Sequence, residues 1–241
     1  MDFYGTIGPA CADVKLLQQM VEAGMTGIRM NLSHGPLAAH ADWLALLRKA
    51  GVKKLLIDLQ GPELRIGRLP QPLSLTAEDK ENLAIAAGCG VTGVMLPFVR
   101  GAADICNLRQ ALAEAGAPQL KILAKIENLA GVQALPEFLP LVDEVVIARG
   151  DLGNAMPLWE LPRCQKQLSA ACRAAGVPFM VVTQMLDSMH TRAVPTRAEV
   201  NDIYNAVLDG ASSLMLTGET AAGQYPVQAM EYLVRTARTA M

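Results

Sequence analysis

Two acidic residues, Glu127 in LAKIEN and Asp151 in ARGDLG, each stand at the tail of a short apolar, strand-like run, about one βα unit apart. Oxygen ligands suit hard cations, and Mg²⁺ is typically held by one or two carboxylates while substrate and water complete its octahedron. This placement predicts a divalent metal at the mouth of a barrel. Lys125 shares a strand face with Glu127, because side chains alternate with a period of two, and Ile122, Ala124 and Ile126 then face the other way. A compact ammonium beside a metal carboxylate suits phosphate or enolate chemistry, either as a charge stabiliser or, when desolvated, as a proton carrier. The plainer alternative is a Lys–Glu ion pair at a strand end.

In GIRMNLSHG the same period puts Arg29, Asn31 and Ser33 on one face and Ile28, Met30 and Leu32 on the other. A polar interior face is costly unless it binds something or forms an internal hydrogen-bonded plug, because barrel cores are filled with branched apolar side chains. In ARGDLG, Gly150 and Gly153 flank Asp151 closely enough for backbone N–H groups to approach an anion and to open a short helix. Thr183 in VVTQM and Thr217 in MLTGET end apolar runs with a hydroxyl that would bind substrate, relay a proton or simply meet solvent. Asp58 closes LLID, and Glu63 and Arg65 follow beyond a Gly-Pro turn. His34 has acid–base capacity, whereas three histidines supply no metal cluster, and His40 and His190 read as loop or helix residues.

Short aliphatic runs that alternate with amphipathic stretches of about a dozen residues are the pattern of parallel βα units. Strands are predicted near Phe3–Ile7, Gly27–Leu32, Lys54–Leu59, Gly93–Phe98, Lys121–Glu127, Glu144–Ala148, Phe179–Gln184 and Ser213–Thr217, each followed by a helix. Helical spacing shows in Val14, Leu17 and Val21 and in Ile105, Leu108 and Leu112, and Thr196 with Glu199 forms a capping box after Pro195. Gly24, Gly51, Gly116, Gly176 and Gly210 mark helix C-termini. Eight such units in 241 residues point to a single (β/α)₈ TIM barrel spanning residues 1–241 rather than an open doubly wound sheet.

The composition agrees, with 51% hydrophobic but only 4% aromatic residues, so the core is built from aliphatic side chains. The apolar excess fits a homo-oligomer as well as a bare barrel. A net charge of −2 without a basic run argues against a nucleic-acid partner, which needs clustered Lys and Arg. Five cysteines at 11, 89, 106, 164 and 172 form no CxxC pair and read as buried free thiols of a reducing compartment. Without a signal layout or an apolar stretch near ~18 residues, the expected location is cytoplasmic, with no membrane partner.

Taken in order, TIGPA, GIRMNLSHG, DLQGPELR, AKIEN, ARGDLG, TQML, PTRAEVND and LTGETAAGQYP resemble the motifs of the pyruvate kinase family, from end to end of the chain but only as that family's catalytic barrel. The resemblance implies Glu127 and Asp151 as Mg²⁺ or Mn²⁺ ligands. It implies Lys125 and Arg29 as stabilisers of the transferring phosphoryl group. Ala148, Gly150, Asp151 and Thr183 would bind the substrate, Thr183 at its carboxylate, and Thr217 would stand near the proton-transfer path where the family usually has Ser. Asn31, Ser33 and Asp58 with the carbonyl of Leu59 resemble the K⁺ site, Glu63 matches the residue tied to potassium dependence, and Pro9, Asn31, His34 and Arg65 fall at nucleotide-binding positions. Departures accompany these matches. Between Gly67 and Leu73 a short RLPQP connection replaces the family's lid domain, which supplies a further Lys and part of the ADP grip; the C-terminal regulatory domain has no match, and Ala39 replaces an aromatic position beside the nucleotide.

Three functions follow from this pattern. The first is phosphoryl transfer between phosphoenolpyruvate and ADP with a divalent metal and K⁺, giving pyruvate and ATP. The second is a metal-dependent lyase, decarboxylase or enolising enzyme acting on pyruvate or oxaloacetate without a nucleotide, which an open barrel mouth suits. The third is a non-catalytic binding protein or a subunit whose partner supplies the lid.

Overall fold

The computed structural model describes residues 1–61 and 75–241. Eight parallel strands hydrogen-bond in sequence order and close on themselves: β1 (Asp2–Thr6), β2 (Gly27–Asn31), β3 (Lys54–Asp58), β4 (Gly93–Leu96), β5 (Lys121–Ile126), β6 (Glu144–Ala148), β7 (Phe179–Val182) and β8 (Ser213–Met215). The chain is therefore the closed (β/α)₈ barrel that the alternation predicts. Strand residues such as Ile28, Ile57, Val94, Ile122, Val146, Val181 and Leu214 are wholly buried, which is why these runs are continuously aliphatic rather than alternating.

Cα packing divides the chain into two compact units, the first formed by Met1–Met30, Ala41–Leu55 and Phe179–Met241, the second by Asn31–His40 and Leu56–Pro178. In the first unit β1 pairs with β2 on one side and with β8 on the other, and β8 pairs with β7. Its helices are α1 (Val14–Glu22) and α2 (Ala41–Lys49), then three others further along the chain. The second unit holds α3 (Ala77–Ala86), α4 (Ala102–Glu114), α5 (Leu129–Phe138), the short α6 (Arg149–Asn154) and α7 (Leu161–Ala175). Numbering then returns to the first unit with α8 (Arg197–Leu208), α9 (Gly218–Ala221) and α10 (Pro226–Arg238).

Local chemistry accounts for the helix boundaries. Ile105, Leu108 and Leu112 form the buried stripe of α4 as their spacing predicts, whereas α1 buries Leu17 and Met20, with Val14 and Val21 only half-buried. Asn128, the last residue of the AKIEN motif, caps α5 by accepting the Gly131 N–H at 2.8 Å. The five glycines expected at helix ends all have positive φ, and Gly176 closes α7 at φ 69°. Gly8 of TIGPA is a glycine for another reason: a Cβ there would lie 2.4 Å from the Ala221 carbonyl oxygen, so this turn can meet α9 only without a side chain.

Before α8 the capping box forms as expected, and more donors converge on it than the sequence indicates. Glu199 accepts from Ser188 N–H (2.7 Å), Ser188 Oγ (2.6 Å), Thr196 N–H (2.7 Å) and Thr196 Oγ1 (2.8 Å). Burial alone would raise its pKa, but the hydrogen bonds from Ser188 and Thr196 outweigh that and hold the carboxyl below its ordinary value. A carboxylate with a lowered folded pKa stabilises the fold well above its unfolded value of 4.5, and the contribution disappears as pH falls through the folded value. Glu199→Gln should accordingly melt below wild type at pH 7, with the difference closing under acid conditions, as thermal unfolding by circular dichroism at several pH values would show. A gap independent of pH would assign the effect to packing alone.

All five cysteines are free thiols, as expected, but not all are buried: Cys11, Cys164 and Cys172 are, Cys89 is half-buried and Cys106 is exposed on α4. Burial pushes the Cys11 and Cys172 thiols up to about 11 and about 12, so both remain protonated and unreactive near neutrality. Among the described residues no helix is long and apolar enough to cross a membrane.

Candidate active site

The second unit gathers its charges at the C-terminal ends of its strands. Register pairs Asp58 of β3 with Met95 of β4 and Met95 with Leu123 of β5, so Lys125 lies two residues further along β5 than the level of Asp58. A lysine stem spans that offset. Lys125 Nζ sits 3.1 Å from Asp58 Oδ2 and 3.0 Å from Glu127 Oε1, and the three side chains retain 12%, 2% and 3% of their exposure. The ion pair weighed as the plain reading of Lys125 and Glu127 is therefore present, with a second carboxylate that the sequence did not associate with it.

Glu127 follows the last residue of β5. Its Oε2 accepts the Phe98 N–H at 2.8 Å, and Phe98 lies in the left-handed region at φ 52°. Phe98 therefore belongs to a turn, and β4 stops at Leu96, two residues before the predicted end. Burial, the first cause, pushes the Glu127 carboxyl above its ordinary value; Lys125 opposes this, Asp58 adds to it, and the Phe98 N–H again opposes it.

On β6, Ile147 is in register with Ile126, which makes Ala148 level with Glu127. Ala148 is 3% exposed at the end of that strand. Asp151 comes three residues later in the first turn of α6, exposed, with Gly150 half-buried before it. It is a helix residue rather than a strand-tail residue, and the Gly-flanked run opens the short helix that the sequence suggests. Both proposed divalent ligands are carboxylates, the donor type that Mg²⁺ and Mn²⁺ favour, and Glu127 presents it at a site already desolvated. Among the described residues no group of three or more His, Cys, Asp or Glu could hold a metal, so any divalent ion here would depend on substrate or water oxygens.

Asn31 ends β2 half-buried, and its side-chain oxygen accepts the Ser33 N–H at 3.3 Å. Ser33 does not continue the strand; it lies exposed in a 3-10 turn, Leu32–His34, so the polar alternation beginning at Arg29 stops at Asn31. His34 is exposed in the same turn. Leu59 is buried one residue beyond β3. Glu63 and Arg65, and the whole RLPQP connection, lie outside the described residues.

The first unit carries the remaining candidates. Arg29 is half-buried on β2, in register with Thr6 of β1, and Pro9 is exposed in the turn after β1. β7 ends at Val182, because Thr183 and the following Gln184 both turn to positive φ, 71° and 52°. For a β-branched residue that conformation is a true outlier, of the kind that collects at ligand sites. β8 stops at Met215, and Thr217 is half-buried at the start of α9 rather than on the strand. Two neighbours of Thr217 escaped the sequence reading. Glu219 is wholly buried and bonds to Thr217, and Thr220, also wholly buried, accepts the Thr6 N–H at 2.8 Å and ties α9 to β1. An acidic residue two positions after a threonine, opening a turn, was the only available signal for Glu219.

A closed parallel barrel whose strand ends carry carboxylates and a half-buried lysine in one unit, and a strained threonine in the other, defines an α/β-barrel protein. The family model "Pyruvate kinase, barrel domain" matches residues 2–72 and 69–230, and the chain belongs to that family. Curated relatives include pyruvate kinases of Sporosarcina psychrophila (31% identical, 97% of this chain, 56% of the relative) and Chlamydia pneumoniae (30% identical, 95% of this chain, 66% of the relative). The pyruvate kinase of Kluyveromyces lactis is 44% identical over 164 residues, 68% of this chain and 32% of its own. The chain thus spans between about half and two thirds of the length of the first two. Their alignments run over 326 and 318 positions against a chain of 241 residues, so these relatives contain inserted residues with no counterpart here. The family match itself breaks and resumes at residues 69–72, inside the RLPQP connection.

Proposed function

We propose that the chain carries out metal-dependent phosphoryl transfer between phosphoenolpyruvate and ADP. The observation that supports it most is the half-buried Lys125 held at 3.0 Å from the buried Glu127, a positive charge beside a proposed metal ligand where a transferring phosphoryl group would need neutralising. Glu127 and Asp151 would hold Mg²⁺ or Mn²⁺, which when bound supplies Lewis-acid polarisation of the substrate oxygens. Lys125 and Arg29 would stabilise the phosphoryl charge, and Ala148, Gly150 and Thr183 would orient the oxo-acid. Thr217 would keep a hydroxyl near the proton-transfer path. K⁺ would take oxygen from Asn31, Ser33, Asp58 and the Leu59 carbonyl. Asp58 would then share its carboxylate between K⁺ and Lys125, as its lone pairs permit. Pro9, Asn31, His34 and Arg65 would meet the nucleotide.

A second reading is favoured by the break in the family match at residues 69–72 and by the inserted residues of the relatives. Without the part that covers the nucleotide, the same residues would enolise or decarboxylate a 2-oxo acid, with no ADP required. Following phosphoenolpyruvate and oxaloacetate turnover by NMR in Mg²⁺ and K⁺, with and without ADP, separates the two. Pyruvate formed from phosphoenolpyruvate only when ADP is present supports the kinase. Oxaloacetate decarboxylation indifferent to ADP supports the second reading, and inertness toward both contradicts each.

A further inference from the structure

Glu219 sits on α9, wholly buried, and its carboxylate reaches the segments that follow two strands. Its Oε2 accepts the Thr217 N–H at 2.7 Å and the Thr217 hydroxyl at 3.2 Å, after β8. Its Oε1 accepts the Leu186 N–H at 3.1 Å, after β7. Leu186 closes the short segment that begins with Thr183 and Gln184, the two consecutive residues at positive φ. Strained backbone of this kind persists only when its surroundings over-determine it, and a buried carboxylate anchoring the end of the segment is one such determinant.

The hydroxyl geometry has a chemical consequence. Thr217 has one hydroxyl proton, and in this geometry it is directed to Glu219; toward anything else the oxygen then offers only lone pairs. We propose that Glu219 is a positioning residue that fixes the Thr183 and Thr217 segments together and presents the Thr217 hydroxyl as a hydrogen-bond acceptor to a bound water. This inference rests on the reading of Thr217 as a site residue.

Glu219→Gln tests it with little change of shape. An amide has one acceptor oxygen where the carboxylate has two, so either Leu186 or Thr217 meets an NH₂ instead of an oxygen. The proton step is read by exchange of the pyruvate methyl protons in D₂O with Mg²⁺, followed by NMR. Glu219→Gln should lower the maximal exchange rate ~10-fold or more with KM for pyruvate held within about threefold, because the loss falls on orientation rather than binding. In a Thr217→Val background the same change should cost less than about twofold, since two residues acting as a unit are not additive. An equal loss in both backgrounds overturns the proposal. Backbone amide exchange is the second readout. Glu219→Gln should speed exchange at Leu186 or Thr217 ~10-fold while Val181 and Leu214 stay protected, and unchanged protection at both positions overturns the proposal. If wild type exchanges no pyruvate protons, the proposed function fails, and the amide measurement still decides the role of Glu219.

Discussion

Lys125→Met should lower both stability and turnover by large amounts. Methionine fills nearly the same volume as the lysine stem, so packing changes little, but the ammonium between Asp58 and Glu127 is removed. Breaking a buried ion pair by deleting one partner typically costs ~3–5 kcal/mol, because the remaining charge stays desolvated. For a domain of this size ~1 kcal/mol shifts the midpoint of thermal unfolding by ~2–4 °C, so a fall of roughly 6–20 °C is expected. Mg²⁺ should restore part of it by substituting as counter-charge at Glu127. Loss of one electrostatic stabiliser of the transition state typically lowers turnover ~10²–10³-fold. Melts with and without Mg²⁺, alongside the turnover assay, check both effects. A variant that melts and turns over like wild type removes Lys125 from the mechanism and from the list of important ion pairs.

Glu127→Gln should weaken metal binding. The amide oxygen can still accept the Phe98 N–H, so the turn at Phe98 is retained. What disappears is a negative ligand at a buried position. Disturbing an outer-shell partner of a metal ligand typically costs ~10–100-fold in affinity, and loss of the ligand itself should cost at least about 100-fold. With the amide oxygen on Phe98, the NH₂ faces the Lys125 ammonium where Oε1 accepted from it, so thermal unfolding should fall, with or without Mn²⁺. Mn²⁺ titration followed by electron paramagnetic resonance measures the affinity. Unchanged Mn²⁺ affinity would mean that the ion binds elsewhere.

The fold was readable because the units repeat one pattern, a buried aliphatic run followed by a helix that in five cases ends at a glycine of positive φ, and the closed order from β1 to β8 follows it. Charges at strand ends were readable for the same reason, because polar residues interrupt runs that are otherwise apolar. The details that shape the site were not. Nothing in VVTQM shows that the backbone inverts at Thr183 and Gln184, since a β-branched residue is among those least inclined to positive φ and only tertiary packing imposes it. The period of two suggested that Ser33 continues the face of Arg29 and Asn31, but the Asn31 side chain bonds to the Ser33 N–H and starts a 3-10 turn. Asp58 was read only as a K⁺ ligand, because the contact with Lys125 crosses β4 and is set by strand stagger, which periodicity does not encode. The burial of Glu219 has no signal in the sequence, because an acidic residue in a turn usually faces solvent and its burial comes from the convergence of segments some thirty residues apart.

The central claim is that Glu127 and Asp151 hold one divalent cation that in turn binds an oxo-acid, and calorimetric titration with oxalate tests it most directly. Oxalate should bind wild type only when Mg²⁺ is present, and neither Glu127→Gln nor Asp151→Asn should bind it with comparable affinity. Oxalate binding that ignores Mg²⁺, or that survives both substitutions, would contradict the claim.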